Sequence, residues 1–163
     1  MTNVRIVPAR EQDVSVILAL IKGLAEYERM TDQVVATEAD IRAALFGSRP
    51  SGEVVIAFAG DRAVGFALFF HNFSTFLGRA GLYLEDLFVV PEMRGRGVGR
   101  RLLSHLAQIA VDRNCGRMEW AVLDWNESAI GFYRRLGATV MDDWRLCRLT
   151  GDALARVAAT GGG

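Results

Sequence analysis

The feature that most constrains the fold is a turn rich in glycine and arginine between a predicted strand and a predicted helix. The strand stops at Pro91 and the helix begins at Gly97. A helix N-terminus exposes unpaired N–H groups at the positive end of its dipole, and glycine lets a ligand approach the backbone. Arginines add charge-assisted donors, so the turn predicts an anion site suited to phosphate. A flexible loop with solvated arginines is the alternative. The arginines are Arg94, Arg96, Arg100 and Arg101.

The spacing of the glycines argues against two common phosphate-binding loops. A dinucleotide fingerprint needs G-x-G-x-x-G in the first strand–helix unit. Here Gly95, Gly97 and Gly99 are followed by Arg100, and four predicted strands come first. A nucleotide-triphosphate loop ends in G-K-S/T, and the sequence contains no such segment. A phosphate held by this turn would therefore belong to another class of ligand.

Hydrophobic periodicity and turn residues predict the element order β-α-α-β-β-β-α-β-α-β-β. This order predicts an α/β fold with a mixed, largely antiparallel sheet flanked by helices. We expect one domain over residues 1–152 and a flexible tail over residues 153–163. Asn126 is predicted to cap a helix that ends at Gly137. The predicted strands are residues 4–7, 53–59, 64–73, 81–90, 118–123, 140–141 and 144–149, and the other helices begin near Val14, after Thr37 and at Gly97.

Composition narrows the classes of function. Nineteen Lys and Arg residues balance nineteen Asp and Glu residues, which argues against a general attraction to nucleic acid or to an anionic membrane. The apolar runs are too short to span a bilayer, and no signal-peptide pattern is present, so we expect a cytoplasmic protein. Cys115 and Cys147 form no C-x-x-C pair and the histidines no ligand-spaced cluster, so no metal is expected.

Several motifs resemble one enzyme family. Arg94-x-x-Gly97-x-Gly99, placed between an apolar strand and a helix, is similar to the R/Q-x-x-G-x-G/A motif of GNAT N-acetyltransferases. The segments LAEYE at 24–28, YLEDLFV at 83–89 and WNESAIGFY at 125–133 resemble the spermidine/spermine acetyltransferase branch, including its thialysine acetyltransferase relatives. The likeness covers most of the chain, and it is most specific between Tyr83 and Gly137.

The resemblance implies a GNAT fold with acetyl-CoA as the donor. Backbone amides of the turn would hold the CoA pyrophosphate, and the end of the preceding strand would pair with pantetheine. The Val89 N–H would polarise the thioester carbonyl. Transfer would be direct, in a ternary complex without an acyl-enzyme. The implied cofactor contacts are Leu87, Phe88, Val89, Arg94, Gly95, Arg96, Gly97, Val98, Gly99, Arg100, Asn126, Ser128, Ala129 and Tyr133.

Amine acetylation needs a base near the amine. An alkylammonium has a pKa of about 10.4 and must lose a proton before it attacks. Glu85 is the base candidate, and alternation along the strand places it on the face of Tyr83 and Val89, with Asp86 on the other. An exposed strand edge or a structural ion pair is the alternative for Glu85, and the resemblance favours the base. Asp86 is expected to have a structural role or to contact the substrate.

The reaction also needs an acid, because the CoA sulfur leaves as a thiolate and benefits from a proton donor. Tyr133 is the acid candidate. It follows Ile130 and Ala129 by three and four residues, so the three lie on one helix face. A core or rim position is the alternative role, and the resemblance implies that Tyr133 lies beside the CoA sulfur.

The resemblance also bears on the substrate. It implies that Tyr27 and Glu28 contact a cationic amine. Thr75 and Leu77 stand where polyamine enzymes carry an acidic residue and a tryptophan, which favours a shorter amine, such as a lysine analogue or a small diamine. The alternatives are acetylation of a protein lysine or N-terminus, a non-catalytic acyl-CoA-binding module, and nucleic-acid binding through the arginines. We expect a homodimer, since the family is commonly dimeric, with no nucleic-acid or membrane partner.

Overall fold

The computed structural model describes residues 3–161, which form two compact units that divide after Ala121. Within residues 3–161, the first unit holds five strands and three α-helices, and the second holds two α-helices. In chain order the elements are β1 Val4–Pro8, α1 Val14–Tyr27, α2 Glu38–Phe46, β2 Glu53–Ala59, β3 Arg62–Ser74, β4 Arg79–Val89, α3 Val98–Asp112, β5 Met118–Trp120, α4 Glu127–Arg135 and α5 Gly151–Thr160.

The five strands form one sheet in the order β1-β2-β3-β4-β5. The first four pair antiparallel, and β5 runs parallel to β4 after the crossover through α3. This confirms the predicted α/β class with a mixed, largely antiparallel sheet flanked by helices. The predicted hairpin is β2 and β3, whose turn contains Gly60 at φ 61°.

Helices α1 and α2 cover one face of the sheet. In α1 the spacing of Ile17, Leu20 and Leu24 places one apolar stripe on the sheet, where it packs with Phe66 and Phe88. α2 begins as predicted. The Thr37 side chain accepts a hydrogen bond from the backbone N–H three residues on, in a reciprocal capping box.

Helix α3 covers the opposite face. Leu102 and Leu106 are fully buried, and a Cβ added at Gly65 would lie 3.3 Å from Leu102 Cδ1. The end of β4 therefore has α1 on one face and the start of α3 on the other. A Cβ added at Gly23 of α1 would lie 2.8 Å from Phe88 Cε1. One added at Gly99 of α3 would lie 3.8 Å from Cγ2 of Val89, the residue that follows Phe88 in β4.

One residue of β4 interrupts the strand alternation. The register pairs Phe69 with Leu84 and Leu68 with Asp86, so Glu85 is an extra residue on β4. This is a β-bulge, in which two residues of one strand oppose one of its partner. Leu68 packs against the core beneath α1, and Asp86, directly opposite, faces the same way.

The bulge changes which residues share a face. Asp86 and Phe88 face α1, and the register places Tyr83 on that face as well. Val89 faces α3. The prediction that Tyr83 shares a face with Val89, and that Asp86 points away from Tyr83, is wrong, because a period of two does not continue across an inserted residue.

The C-terminal part differs from the prediction. The segments at 140–141 and 144–149, expected as the last two strands, form no strand within the described residues. Trp144 is 74% exposed and Leu146 is 80% exposed. Alternating apolar residues suit a strand, but a strand also requires a neighbour with which to pair. Residues 151–160 form α5, where a tail from residue 153 was expected. Gly162 and Gly163 lie outside the described residues, and the domain boundary at 152 stays a prediction.

Candidate active site

The glycine–arginine turn has the backbone shape that an anion site requires. β4 ends at Val89, a short 3-10 turn follows over Pro91–Met93, and α3 begins at Val98. Gly95 and Gly97 have φ of 73° and 80°, a left-handed conformation that glycine adopts without steric cost. Gly97 is the N-cap and supplies no side-chain cap. The first N–H groups of α3 are thus available to a ligand, and the predicted strand–turn–helix is confirmed.

An ion pair holds the start of this turn. The guanidinium of Arg62, the first residue of β3, pairs with the carboxylate of Glu92 in the 3-10 turn. The backbone N–H of Glu92 itself, and then Arg62, hold the pKa of the Glu92 carboxyl below its usual range. Val90 N–H also donates to the Val64 carbonyl at 2.9 Å, so the turn is fastened to β3 at two points.

The side chain of Arg94 does not extend away from the turn. Its Nε donates to the Val89 carbonyl at 3.0 Å. Its guanidinium carbon lies 4.5 Å from the ring centroid of Tyr27 and 5.5 Å from that of Phe88. Both distances are in the range of cation–π contacts. Arg94 therefore connects the turn with the last residue of α1.

Three carboxylates come together beside the end of α1. Asp86 is largely buried, and burial, followed by the negative charges of Glu85 and Glu28, raises its pKa from 3.8 to about 6. Burial also raises the pKa of Glu28, the residue that caps the C-terminus of α1. The pKa of Tyr83 is raised by burial first, and then by Glu85 and Glu119. The predicted site residues Glu28 and Glu85 are thus near enough to Asp86 for their charges to act on it, and we call these three residues the acidic cluster.

A carboxylate with a pKa of about 6 is well matched to proton transfer near neutral pH. Sequence reasoning chose Glu85 as the base and missed this property of Asp86. The property arises from burial and from like charges on two elements, α1 and β4. The sequence of β4 alone therefore does not indicate the raised pKa of Asp86, although Glu28 at the end of α1 was already a candidate substrate contact.

In the second unit, α4 begins and ends as predicted. The Asn126 side chain accepts a hydrogen bond from the Ala129 N–H at 3.3 Å, which confirms the predicted N-cap. Gly137, at φ 95°, follows the end of the helix. Tyr133 is half-buried, and its ring centroid lies 5.6 Å from that of Phe132. The cofactor and acid roles of Asn126, Ser128, Ala129 and Tyr133 stay predictions.

No group of three or more His, Cys, Asp or Glu side chains in the part of the chain that is described could hold a metal ion. Among these residues, no helix has both the length and the apolarity needed to cross a membrane.

Comparison with known proteins gives matches over nearly the whole chain. The model of the "Acetyltransferase (GNAT) family" matches residues 20–138. Thialysine N-epsilon-acetyltransferase of Bos taurus is 38% identical over 169 residues, covering 97% of this chain and 99% of the relative. L-ornithine N5-acetyltransferase of Arabidopsis thaliana is 36% identical, covering 94% and 87%. A solved integron cassette protein of V. cholerae has a TM-score of 0.81 at 28% identity, covering 97% and 98%. The matches confirm the resemblance that the motifs indicated.

Proposed function

This chain belongs to the acetyltransferase (GNAT) family and is an N-acetyltransferase that acts on amines, and we propose that it moves the acetyl group of acetyl-CoA to a primary amine of a small cationic substrate. Members of the family use acetyl-CoA as the acetyl donor. In this proposal the N–H groups of Gly95 to Arg100 bind the CoA pyrophosphate, and Leu87 to Val89 pair with pantetheine.

The observation that carries the proposal is the arrangement along β4. Glu85 and Asp86 bring carboxylates to the end of α1, and the same strand runs directly into the glycine turn at Val89. Asp86 and Val89 are three residues apart, about 10 Å at the rise of an extended strand. The proposed amine site and the proposed CoA turn therefore lie along one strand, separated by about the length of three extended residues.

The carboxylates supply the base. A substrate ammonium must lose its proton before its nitrogen attacks the thioester carbonyl. Glu85 and Asp86 are neighbours in the chain, and the negative charge of Glu85 adds to burial in raising the pKa of Asp86. We assign the base to this pair, with Glu85 exposed toward the incoming amine and its water, and with Asp86 holding the second charge.

Tyr133 supplies the acid, a role that rests on its place in the WNESAIGFY motif of α4. Its phenol would protonate the departing CoA sulfur, while the amine nitrogen bonds to the acetyl carbon and loses a proton to the base. Neither Cys115 nor Cys147 is required, because the acetyl group passes directly to the amine in a ternary complex.

The substrate class follows from the charge at the end of α1. In this proposal Glu28 binds a second ammonium, because its carboxyl lies at the end of α1, near enough to Asp86 for its charge to act there. The relatives from Bos taurus and Arabidopsis thaliana are named for thialysine and for L-ornithine, both small amino acids with a terminal amine. We therefore propose a basic amino acid or a short diamine as the acceptor, and a homodimer as the assembly.

Release of free CoA thiol from acetyl-CoA tests the function. Thialysine, lysine, ornithine, putrescine, spermidine, spermine and a lysine peptide are assayed separately, each with wild type and with Tyr133→Phe. Turnover with a small amine that falls by about 100-fold in Tyr133→Phe, the lower range for general acid catalysis, supports the proposal. Turnover with the peptide alone would indicate a protein acetyltransferase. CoA binding without turnover of any amine would indicate a non-catalytic module.

Substitution in the cluster tests the amine site. Glu28→Gln is expected to raise the KM for a diamine more than it lowers kcat. Glu26→Gln, an exposed carboxylate two residues earlier on the same helix, is the matched control. Equal effects of the two substitutions would contradict a specific contact from Glu28. Sedimentation at micromolar concentration that gives only the monomer mass would contradict the homodimer.

A further inference from the structure

Arg94 joins the two ends of the proposed site through its side chain. Its backbone is part of the turn, where Arg94 N–H donates to the Pro91 carbonyl at 3.2 Å. Its guanidinium instead lies over the ring of Tyr27 at 4.5 Å, and its Nε donates to the Val89 carbonyl at 3.0 Å. A side chain that served only as a phosphate ligand would extend toward the turn's N–H groups rather than back across β4.

The contact with Tyr27 reaches the amine side of the site. Tyr27 is the last residue of α1, and Glu28 is the next residue and the C-cap. The Glu28 N–H donates to the Leu24 carbonyl at 2.9 Å, so the backbone of this last turn is ordered. Glu28 is therefore held directly after the residue on which the Arg94 guanidinium stacks, and the charge of Glu28 acts on Asp86.

The contact with Val89 reaches the donor side. The hydrogen bond from Arg94 fixes the orientation of the Val89 carbonyl at the end of β4, where the donor thioester is proposed to lie. The ring of Phe88, 5.5 Å from the guanidinium carbon, lies beneath it and is buried against α1. The guanidinium thus contacts residues from both sides and has a fixed, planar shape that lysine lacks.

We propose that Arg94 is a positioning residue that couples binding of the donor at the turn to binding of the amine at the end of α1. This inference rests on the proposed function and goes beyond it, since it assigns to the arginine side chain a role other than contact with CoA. A donor that orders the turn also orders the Arg94 backbone, and the stacked guanidinium then holds Tyr27 and Glu28 in the conformation that binds the amine. By linkage, the amine must tighten the donor to the same extent.

Calorimetry with CoA and thialysine measures the coupling without turnover. The dissociation constant of CoA is determined with and without saturating thialysine, and the ratio of the two is the coupling factor. We expect a factor of at least about 5 in wild type, the lower end of typical couplings between sites. Arg94→Lys and Tyr27→Leu are expected to bring the factor close to 1, with Tyr27→Leu leaving the affinity for CoA alone nearly unchanged.

Two variants serve as controls. Tyr27→Phe keeps the ring, and Arg101→Lys changes an exposed arginine on the first turn of α3; both are expected to keep the wild-type factor. Because Tyr27→Leu leaves the turn intact, it tests the coupling even where Arg94→Lys folds poorly.

The coupling is refuted if Arg94→Lys and Tyr27→Leu both keep the wild-type coupling factor. It is also refuted if Arg94→Lys weakens CoA binding but leaves the coupling factor unchanged. A wild-type protein that turns over thialysine with a factor of 1 would refute this inference alone. A wild-type protein that neither binds CoA nor releases thiol would refute the proposed function as well.

Discussion

Replacement of Asp86 by asparagine tests the electrostatics of the acidic cluster. Burial and the like charges of Glu85 and Glu28 raise the pKa of Asp86 from 3.8 to about 6. At 1.36 kcal/mol for each pH unit, ionised Asp86 destabilises the fold by about 3 kcal/mol. A raised pKa in the folded state means that the native protein binds the proton more tightly. The stabilisation of the fold by the proton bound to Asp86 is present at low pH and is lost as pH rises from about 4 through about 6.

Asp86→Asn cannot ionise, so its stability relative to wild type should increase with pH. Linkage gives an increase of about 2 kcal/mol between pH 4.5 and pH 8, measured by urea unfolding at a series of pH values. Any fixed effect of the amide appears equally at each pH and cancels in this comparison. Glu26→Gln, which removes an exposed carboxylate near the end of α1, is the control for the loss of one negative charge. A stability difference for Asp86→Asn that is the same at pH 4.5 and pH 8 would refute the reasoning.

Three further predictions concern local structure. Gly97→Ala places a side chain at φ 80°, so it should lower the free energy of unfolding by about 1–2 kcal/mol and weaken CoA binding in calorimetry. Gly99→Ala is the control and should lower the free energy of unfolding much less, because its Cβ would make only an ordinary 3.8 Å contact. Equal losses of stability in the two variants would contradict the left-handed turn. Thr37→Ala removes the cap of α2 and should lower the free energy of unfolding by about 1 kcal/mol, and no measurable loss in urea unfolding would argue against the capping box. Glu53→Gln breaks the ion pair in which the two Nη atoms of Arg113 lie 2.6 and 3.0 Å from the Glu53 carboxylate oxygens. Hydrogen bonding to Arg113 is the main reason that the pKa of Glu53 is lowered. Since the pair is about half exposed, the loss in unfolding free energy should be at most about 1 kcal/mol. This loss should be present at neutral pH and should vanish as pH falls through the lowered pKa of Glu53. A loss that grows in acid would contradict this assignment.

The parts of the fold that the sequence predicted well depend on short-range signals. Pro91 stops β4, Gly97 starts α3, and Asn126 and Gly137 bound α4, each through the conformation or hydrogen bonding of the residue itself. The backbone of the glycine–arginine turn was predictable for the same reason, because its shape is built from consecutive residues.

The parts that were missed depend on partners distant in the chain. Nothing in the letters around Glu85 shows that β4 has one residue more than its partner strand, because a bulge is a property of the pair. The raised pKa of Asp86 likewise needs Glu28 from another element. The segment around Trp144 has the alternation of a strand, but a local pattern cannot supply the neighbour that a strand requires.

The inserted residue in β4 has a consequence for anyone who redesigns this enzyme. Before Glu85, the even-numbered residues such as Leu82 and Leu84 lie on the α3 side, and after it the even-numbered Asp86 and Phe88 lie on the α1 side. A set of substitutions at every second position would thus alter two different layers of the protein. Deletion of one residue here would restore a regular strand, and it would move either the carboxylates or the glycine turn to the wrong side of the sheet.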